Sequence, residues 1–145
     1  MAQVTARATA TVPAPPEQVL ERLRDYDARP ELLTDNYTAC RVEAGGSGAG
    51  SIFAYHFAAE GRERAYRLRA DEEPGILRER DELSTFVSTW TVEPLGPGTS
   101  SRVTLEGSWQ GAGGVAGIFE GLFAPLGLRR IYAEILANLA ASFSG

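Results

Sequence analysis

The stretch that decides the fold is IFAYHFAAEGRERAYRLRA, residues 52–70. Large apolar side chains recur at every second position in each half of it, as they do in a β-strand with one buried face. Glu60 and Gly61 at its centre predict a two-residue hairpin loop, and such a loop fixes which residues of the two strands face each other. The resulting register makes three pairs: Phe53 with Leu68, Tyr55 with Tyr66, and Phe57 with Arg64.

Three later turns carry the same register as far as Gln110. With turns at Pro74-Gly75, at Leu83-Ser84 and over residues 94–100, every hairpin places the same residues on one face of the sheet. This agreement predicts an antiparallel sheet with one apolar and one solvated face. The predicted inner face holds Phe53, Tyr55, Phe57, Tyr66, Leu68, Leu77, Phe86, Trp90, Val92, Val103, Leu105 and Trp109. The predicted outer face holds Arg67, Arg69, Arg78, Arg80, Arg102, Thr104 and Glu106.

The chain ahead of these hairpins predicts one more strand and two short helices. Residues 4–12 alternate small apolar residues with threonine and arginine, which indicates a first strand. Residues 15–25 begin with two prolines and then place Val19, Leu20 and Leu23 at helical spacing. PELL, residues 30–33, indicates a second short helix. Residues 37–44 are interpreted as a further strand, so we expect about seven strands in all.

One apolar segment near the C-terminus is long enough to cover the inner face of the sheet. It opens with QGAGGVAGIFEGLFAPLGLRRIY, residues 110–132, and its apolar residues follow helical spacing up to residue 126 and again from Leu128 to Phe143. Pro125 and Gly127 are predicted to kink or divide this helix. The apolar run 115–128 is too short and too rich in glycine to cross a bilayer, which needs about 20 residues. We expect no stable membrane insertion.

Taken in this order, the predicted elements resemble a known superfamily. The order is a strand, two short helices, six strands and a long C-terminal helix, and it resembles the helix-grip fold of START domains and birch-pollen-allergen-like proteins. VPAPPEQVLERLRDY (12–26), STWTVEPLGPGTSSRVTLEGSW (88–109) and GLFAPLGLRRIYAEILANL (121–139) are similar to the bacterial polyketide cyclase/dehydrase-like branch. The resemblance implies an α+β fold in which a curved antiparallel sheet wraps around the C-terminal helix, as a single domain over residues 1–145.

The resemblance also implies a deep cavity between the sheet and the helix, with its mouth at the start of the helix. Residues 111–127 match that start, so their glycines and apolar residues are interpreted as a lid. The alternative is an irregular lead-in to a core helix. The ligand-binding residues expected on these grounds are Phe53, Tyr55, Phe57, Arg64, Tyr66, Leu68, Glu79, Asp81, Phe86, Ser88, Trp90, Leu105, Trp109, Phe119 and Phe123.

Three polar residues of the predicted inner face carry the possible chemistry. Glu79 and Asp81 are turned inward by the register, and an apolar cavity raises the pKa of a carboxylate unless a cation lies close to it. One of them is therefore a candidate acid or base. Alternatively, Arg64 binds an acidic headgroup and the carboxylates balance its charge. Ser88 and Gly107 are small residues among bulky neighbours, which either leave room for a ligand or receive a large side chain from the helix.

Composition argues against several other classes of function. The formal net charge of -5 disfavours nucleic-acid binding in the absence of a concentrated basic face. Cys40 is the only cysteine and His56 the only histidine, so no disulfide, metal site or cofactor is expected. His56 is predicted on the outer face. The N-terminus lacks the apolar core of a signal peptide, which predicts a cytoplasmic protein.

Three functions fit these expectations. The first is binding or transport of a small hydrophobic or amphipathic molecule, such as a lipid, an isoprenoid or a polyketide-like compound. The second is an aromatase/cyclase-like enzyme that uses an inward carboxylate or tyrosine. The third is an interaction module similar to co-chaperone domains of the same fold, with segment 115–126 as its contact surface or as a homodimer interface.

Overall fold

A computed structural model of the protein describes residues 3–110 and 125–144. Its centre is one antiparallel sheet of seven strands in the order β1-β7-β6-β5-β4-β3-β2. The strands are β1 (Gln3–Val12), β2 (Tyr37–Ala44), β3 (Ile52–Ala59), β4 (Arg62–Glu73), β5 (Ile76–Asp81), β6 (Val87–Leu95) and β7 (Ser100–Gln110). The first strand pairs with the last, as Ala6 does with Gly107.

Two short helical segments follow β1, as the sequence predicts. Helix α1 spans Pro16–Arg24 and buries Val19, Leu20 and Leu23, the three residues that carry its helical spacing. The second segment is shorter than the predicted helix: it is a single 3-10 turn over Arg29–Leu32. Its hydrogen bond from the Leu33 amide to the Pro30 carbonyl closes that turn before β2 begins.

The hairpin register agrees with the prediction at every turn. Phe53 lies opposite Leu68, Tyr55 opposite Tyr66, and Phe57 opposite Arg64. The next hairpins set Glu79 against Ala70 on one side and against Ser88 on the other. Trp90 then lies opposite Leu105. Because the register fixes which face a side chain occupies, both predicted carboxylates, Glu79 and Asp81, point inward and are buried.

Helix α2, over Pro125–Ala141, covers the inner face of the sheet and packs mainly against β1. Its buried residues are Leu128, Tyr132, Ile135, Leu136 and Leu139, which follow the predicted spacing. Pro125 stands at the first described position of this helix, where proline costs no hydrogen bond. The predicted apolar half-helix before it lies outside the described residues, so the kink or division predicted at Pro125 and Gly127 stays a prediction.

The outer face of the sheet carries ion pairs between neighbouring strands. Arg67 and Arg69 of β4 both contact Glu82, at 3.1 and 2.8 Å, and Arg78 of β5 contacts Asp71 at 3.2 Å. Thr104 is the exception to the predicted exposure of this face, because its hydroxyl lies 3.2 Å from that of Thr9 and the residue is buried.

The glycine-rich loop GGSGAG, residues 45–50, joins β2 to β3 and is held in place by hydrogen bonds to the end of α1 and to β4. The Tyr26 amide donates to the Gly46 carbonyl at 3.0 Å, and the Gly48 amide donates to the Arg24 carbonyl at 3.1 Å. Glu72 accepts hydrogen bonds from Arg24 at 2.6 Å and from the Ala49 amide at 3.0 Å. The loop therefore fixes the end of α1 over the sheet.

Within residues 3–110 and 125–144, no helix is long and apolar enough to cross a membrane.

Candidate functional site

A buried ion pair lies at the centre of the inner face. The Arg29 Nη2 atom is 2.8 Å from Glu79 Oε2, and each side chain is only 3% exposed. Glu79 comes from the middle of β5, whereas Arg29 comes from the 3-10 turn that crosses the sheet. An ion pair removed from water to this degree is stable only when hydrogen bonds satisfy both partners.

The carboxylate of Glu79 is fully satisfied. Oε2 accepts a hydrogen bond from the Tyr26 hydroxyl at 2.6 Å in addition to its contact with Arg29. Oε1 accepts from the Ser88 hydroxyl at 3.0 Å and from Trp90 Nε1 at 3.1 Å. Four donors therefore occupy the four acceptor positions of a carboxylate.

Local structure places Arg29 directly over this carboxylate. The Asp25 side chain accepts a hydrogen bond from the Ala28 amide at 3.2 Å, which turns the chain at the end of α1. Arg29 Nη2 then donates to the Leu23 carbonyl at 2.5 Å, and so satisfies a free carbonyl of the last turn of that helix. Its guanidinium lies 4.7 Å from the Tyr26 ring centre and 5.1 Å from that of Trp90, a cation–π contact on both sides.

This arrangement argues against the candidate role of Glu79 as an acid or base. Burial alone would raise the pKa of Glu79, but the Arg29 charge and the hydrogen bonds from Arg29, Tyr26 and Trp90 hold that pKa below its usual value. Glu79 is therefore ionised at neutral pH, and all its acceptor positions are engaged. Its geometry suits a group that holds Arg29 in place.

Asp81, the second inward carboxylate, is bound into the turn between β5 and β6. It accepts hydrogen bonds from the Arg67 amide at 2.9 Å and from the Ser84 hydroxyl at 2.6 Å. Arg64 donates to it at 2.8 Å and lies 4.4 Å from the Tyr66 ring centre. Arg64 Nη2 is therefore engaged by Asp81, and the alternative in which Arg64 binds an acidic headgroup stays a prediction.

A cluster of tyrosines lies between the ion pair and α2. The Tyr55 ring centre is 5.0 Å from that of Tyr37 and 5.4 Å from that of Tyr66. Tyr132 of α2 packs on the same cluster. Burial, followed by the neighbouring tyrosines, raises the pKa of Tyr55 well above 10.0, so the phenol remains protonated. Among the described residues, no side chain or backbone group forms a hydrogen bond with the hydroxyls of Tyr37, Tyr55 and Tyr132.

Three spaces follow one another from the surface to the ion pair. A groove of about 260 Å³ lies at the surface between the end of β3 and the first turns of α2, beside Glu60 and Ile131. It shares Phe57 and Leu128 with an inner space of about 20 Å³. That space shares three of its four tyrosines, Tyr37, Tyr55 and Tyr132, with an innermost cavity of about 30 Å³, which ends at the ion pair. A cavity of this last size holds a water molecule or two, and no larger molecule.

Most of the predicted site residues line these spaces. The innermost cavity is lined by Phe53, Tyr55, Leu68, Glu79, Phe86, Ser88, Trp90 and Leu105, and the middle space by Phe57 and Tyr66. Trp109, Arg64 and Asp81 are buried or half-buried but line none of the three, so a ligand contact by them stays a prediction. Trp109 Nε1 and Arg29 Nε are buried nitrogens without a hydrogen-bond partner among the described residues. Phe119 and Phe123 lie outside the described residues.

Four residues of the site escaped sequence reasoning: Tyr26, Arg29, Tyr37 and Tyr132. Arg29 and Tyr26 lie in a turn, where no alternation reveals which side chains point inward. A signal for Tyr132 was present, because it belongs to the buried spacing of α2. His56 lies on the outer face as predicted, 3.4 Å from Glu63. Cys40 packs against the core but is only half-buried.

The comparison with known protein families finds a match over almost the whole sequence. Residues 3–144 match the family described as polyketide cyclase / dehydrase and lipid transport. The chain belongs to this family. Membership agrees with the predicted resemblance and with the helix-grip arrangement of sheet and helix. Among curated proteins, no sequence matches the chain.

Solved structures similar to this member of the family extend from bacteria to plants. The KanY protein, solved by NMR, is 41% identical, with a TM-score of 0.88 and complete coverage of both chains. A protein from Thermus thermophilus is 18% identical, with a TM-score of 0.79 and 97% of each chain covered. The major latex-like protein 151 of Panax ginseng is 11% identical, with a TM-score of 0.75 and 99% of each chain covered. At 18% and 11% identity, the last two similarities show a shared fold and no more.

Proposed function

We propose that this protein binds a small, largely apolar molecule between the sheet and α2, with a polar end of the ligand at the tyrosine cluster. The ligand enters through the groove beside Ile131. Its binding residues are those predicted residues that line the three spaces, together with Arg29, Tyr37 and Tyr132. The family description, which names both polyketide cyclisation and lipid transport, supports a ligand of this class.

One observation carries the proposal: two buried tyrosines, Tyr55 and Tyr132, and the half-buried Tyr37 line the interior, and no hydrogen bond within the described residues uses their hydroxyls. A buried hydroxyl costs free energy unless it forms a hydrogen bond, so an interior core would normally place phenylalanine at such positions. Tyr37, Tyr55 and Tyr132 line the innermost cavity together. Their hydroxyls are available to a polar group that enters from the groove, and their rings provide apolar walls for the rest of the molecule.

The dimensions of the spaces determine how binding would proceed. The two inner spaces, of about 20 and 30 Å³, are far smaller than the usual ligand pocket of about 300 Å³ or more. A ligand must therefore push the tyrosine rings apart, or move α2 away from the sheet. Gly127 and Leu128 flank the groove at the start of α2, where a small displacement widens the entrance.

The groove can be blocked without disturbing the sheet. Ile131→Trp places a large side chain in it, and Ala137→Trp places the same side chain on the exposed face of α2 as a matched control. The neutral dye N-phenyl-1-naphthylamine, whose fluorescence rises in apolar surroundings, serves as the probe. We expect the wild type and Ala137→Trp to bind it equally and Ile131→Trp to bind it about tenfold more weakly. Equal binding by all three proteins would refute the entrance, and no binding by the wild type would refute the proposal.

Identifying the class of the natural ligand requires a separate measurement. Native mass spectrometry of the purified protein, followed by organic extraction, identifies a bound molecule by its mass. A stoichiometric lipid-like or polyketide-like mass supports the proposal. Recovery of a protein partner in place of a small molecule would support the interaction-module hypothesis.

A further inference from the structure

Arg29 and three tyrosines that line the innermost cavity carry hydrogen-bond donors with no acceptor among the described residues. Arg29 lines it, and its Nε–H is buried without a partner although Nη2 of the same guanidinium is fully used. The tyrosine hydroxyls of the cavity are also unused among the described residues, and each of them can donate. A buried guanidinium N–H left unpaired is costly, which marks this position as one that a ligand or water completes.

The acceptors of the cavity, in contrast, are already occupied. Glu79 receives two hydrogen bonds on each carboxylate oxygen, from Tyr26 and Arg29 on one and from Ser88 and Trp90 on the other. It has no free position for a donor on a ligand. The polar end of the cavity therefore has unused hydrogen-bond donors among its described residues, so it fits a ligand group that accepts hydrogen bonds.

Charge decides which kind of acceptor fits. The described residues that line the cavity carry one positive and one negative charge, Arg29 and Glu79, in direct contact. A ligand carboxylate at this position would be buried without a net opposite charge and would repel Glu79. A neutral oxygen avoids both penalties and still completes the unpaired N–H.

We propose that the inner end of the cavity binds the carbonyl oxygen of a neutral ketone, ester or amide, with Arg29 Nε and the tyrosine hydroxyls as its donors. This inference rests on the proposed function, because the rest of the ligand must lie between the tyrosine rings. Glu79 then acts as a positioning residue that holds the guanidinium and cancels its charge. The aromatic side chains Phe53, Tyr55 and Phe86 provide the walls for the body of the ligand.

Three probes of nearly equal size separate these chemistries: 2-acetylnaphthalene, 2-ethylnaphthalene and 2-naphthoate. The first has a neutral carbonyl, the second has none, and the third is an anion at neutral pH. Titration of the full-length protein by calorimetry or NMR gives the three dissociation constants. We expect the ketone to bind about tenfold more tightly than the hydrocarbon, which corresponds to one charge-assisted hydrogen bond, and the carboxylate to bind most weakly. With the carbonyl labelled with ¹³C, its resonance should also shift downfield on binding, as hydrogen-bonded carbonyls do.

Arg29→Met combined with Glu79→Gln removes the donor and its counter-charge together. Arg69→Met with Glu82→Gln makes the same chemical change in an ion pair on the outer face, where the two side chains are 2.8 Å apart, and is the matched control. The inner double variant should lose the preference for the ketone and keep its affinity for the hydrocarbon, whereas the control should change neither.

Failure of this inference and failure of the proposed function give different results. Equal binding of ketone and hydrocarbon, tightest binding of the carboxylate, or an unshifted ¹³C resonance in the wild type would overturn the carbonyl site alone. The resonance measurement needs no variant, so it stands if the double variant fails to fold. If none of the three probes binds to the wild type, the proposed function falls together with this inference.

Discussion

The hydroxyl of Tyr132 in α2 rests directly against Gly107 of β7, at a place where any side chain on residue 107 would overlap it. Gly107 lies between Ala6 of β1 and Ser88 of β6, so a row of small residues crosses the sheet under the helix. The sequence left open whether such small residues leave room for a ligand or receive a large side chain. At Gly107 the second alternative holds, and the tyrosine that fills the space is also a wall of the innermost cavity.

Gly107→Ala should therefore destabilise the protein by about 1–3 kcal/mol, the usual cost of forcing extra volume into a packed core. The added methyl group would overlap the Tyr132 hydroxyl and come within 3.1 Å of the Phe86 ring. Denaturant unfolding of the single variant measures this cost. Adding Tyr132→Phe removes the nearest atom and should recover part of it. If the loss of unfolding free energy in the double variant equals the sum of the losses in the two single variants, the two residues are not coupled in this way.

Breaking the buried ion pair should cost more than removing it whole. Glu79→Gln leaves Arg29 as a buried, unpaired charge, and such a change typically costs about 3–5 kcal/mol. Arg29→Met leaves Glu79 in the same state. The double variant should be less destabilised than the sum of the two, which a double-mutant cycle of unfolding free energies measures. As a control, Arg69→Met on the exposed outer face should cost at most about 1 kcal/mol. Additive effects at Arg29 and Glu79 would contradict the coupling.

The sheet could be predicted from sequence because two local rules act on the same residues. The alternation along a strand has a period of two, and a tight loop fixes how two strands align, so the pairing of Tyr55 with Tyr66 follows from Glu60 and Gly61 alone. The same rules turned Glu79 inward. Contacts between residues far apart in the chain do not change this local pattern, so the register could be predicted without knowledge of them.

The partners of Glu79 could not be predicted in the same way. Arg29 contacts Glu79 from a 3-10 turn that lies fifty residues earlier in the chain. Tyr26 contacts it from the loop before that turn. Turns have no period that separates inward from outward side chains, so an arginine there looks like any solvated charge. From the sequence alone, the pKa of Glu79 depends on whether a cation lies nearby, and local pattern does not reveal that this cation is Arg29.

Asp81 should matter to stability much more than the arginine beside it. Its carboxylate accepts hydrogen bonds from the Arg67 amide and the Ser84 hydroxyl as well as from Arg64, so Asp81→Ala leaves buried donors of the β5–β6 turn unsatisfied. We expect a loss of about 2–4 kcal/mol from several such bonds. Arg64→Met keeps an apolar stem over the Tyr66 ring and should cost about 1 kcal/mol. Equal losses in thermal or denaturant unfolding would mean that the ion pair, and not the turn, is what Asp81 stabilises.

The buried tyrosines should make the protein unstable in alkali. Burial, followed by the neighbouring phenols, raises the pKa of Tyr55 well above 10.0, and burial also raises that of Tyr132. Above about pH 10 the unfolded chain releases phenolic protons that the folded chain retains. The folded state then binds more protons than the unfolded state, so the free energy of unfolding falls as pH rises, by about 1.4 kcal/mol per pH unit for each retained proton.

Tyr55→Phe tests this dependence with little disturbance, because the Tyr55 hydroxyl makes no hydrogen bond within the described residues. Urea unfolding followed by circular dichroism, at several pH values from neutral to alkaline, gives the slope for each protein. Above about pH 10, the fall in the free energy of unfolding with pH should be less steep in the variant than in the wild type by about 1.4 kcal/mol per pH unit, which corresponds to one retained proton. Below about pH 9 the Tyr55 phenol of the wild type is protonated in both the folded and the unfolded state. The wild type and the variant should therefore show parallel dependence on pH in that range. Parallel curves in alkali as well would mean that the Tyr55 phenol ionises as readily in the folded protein as in water.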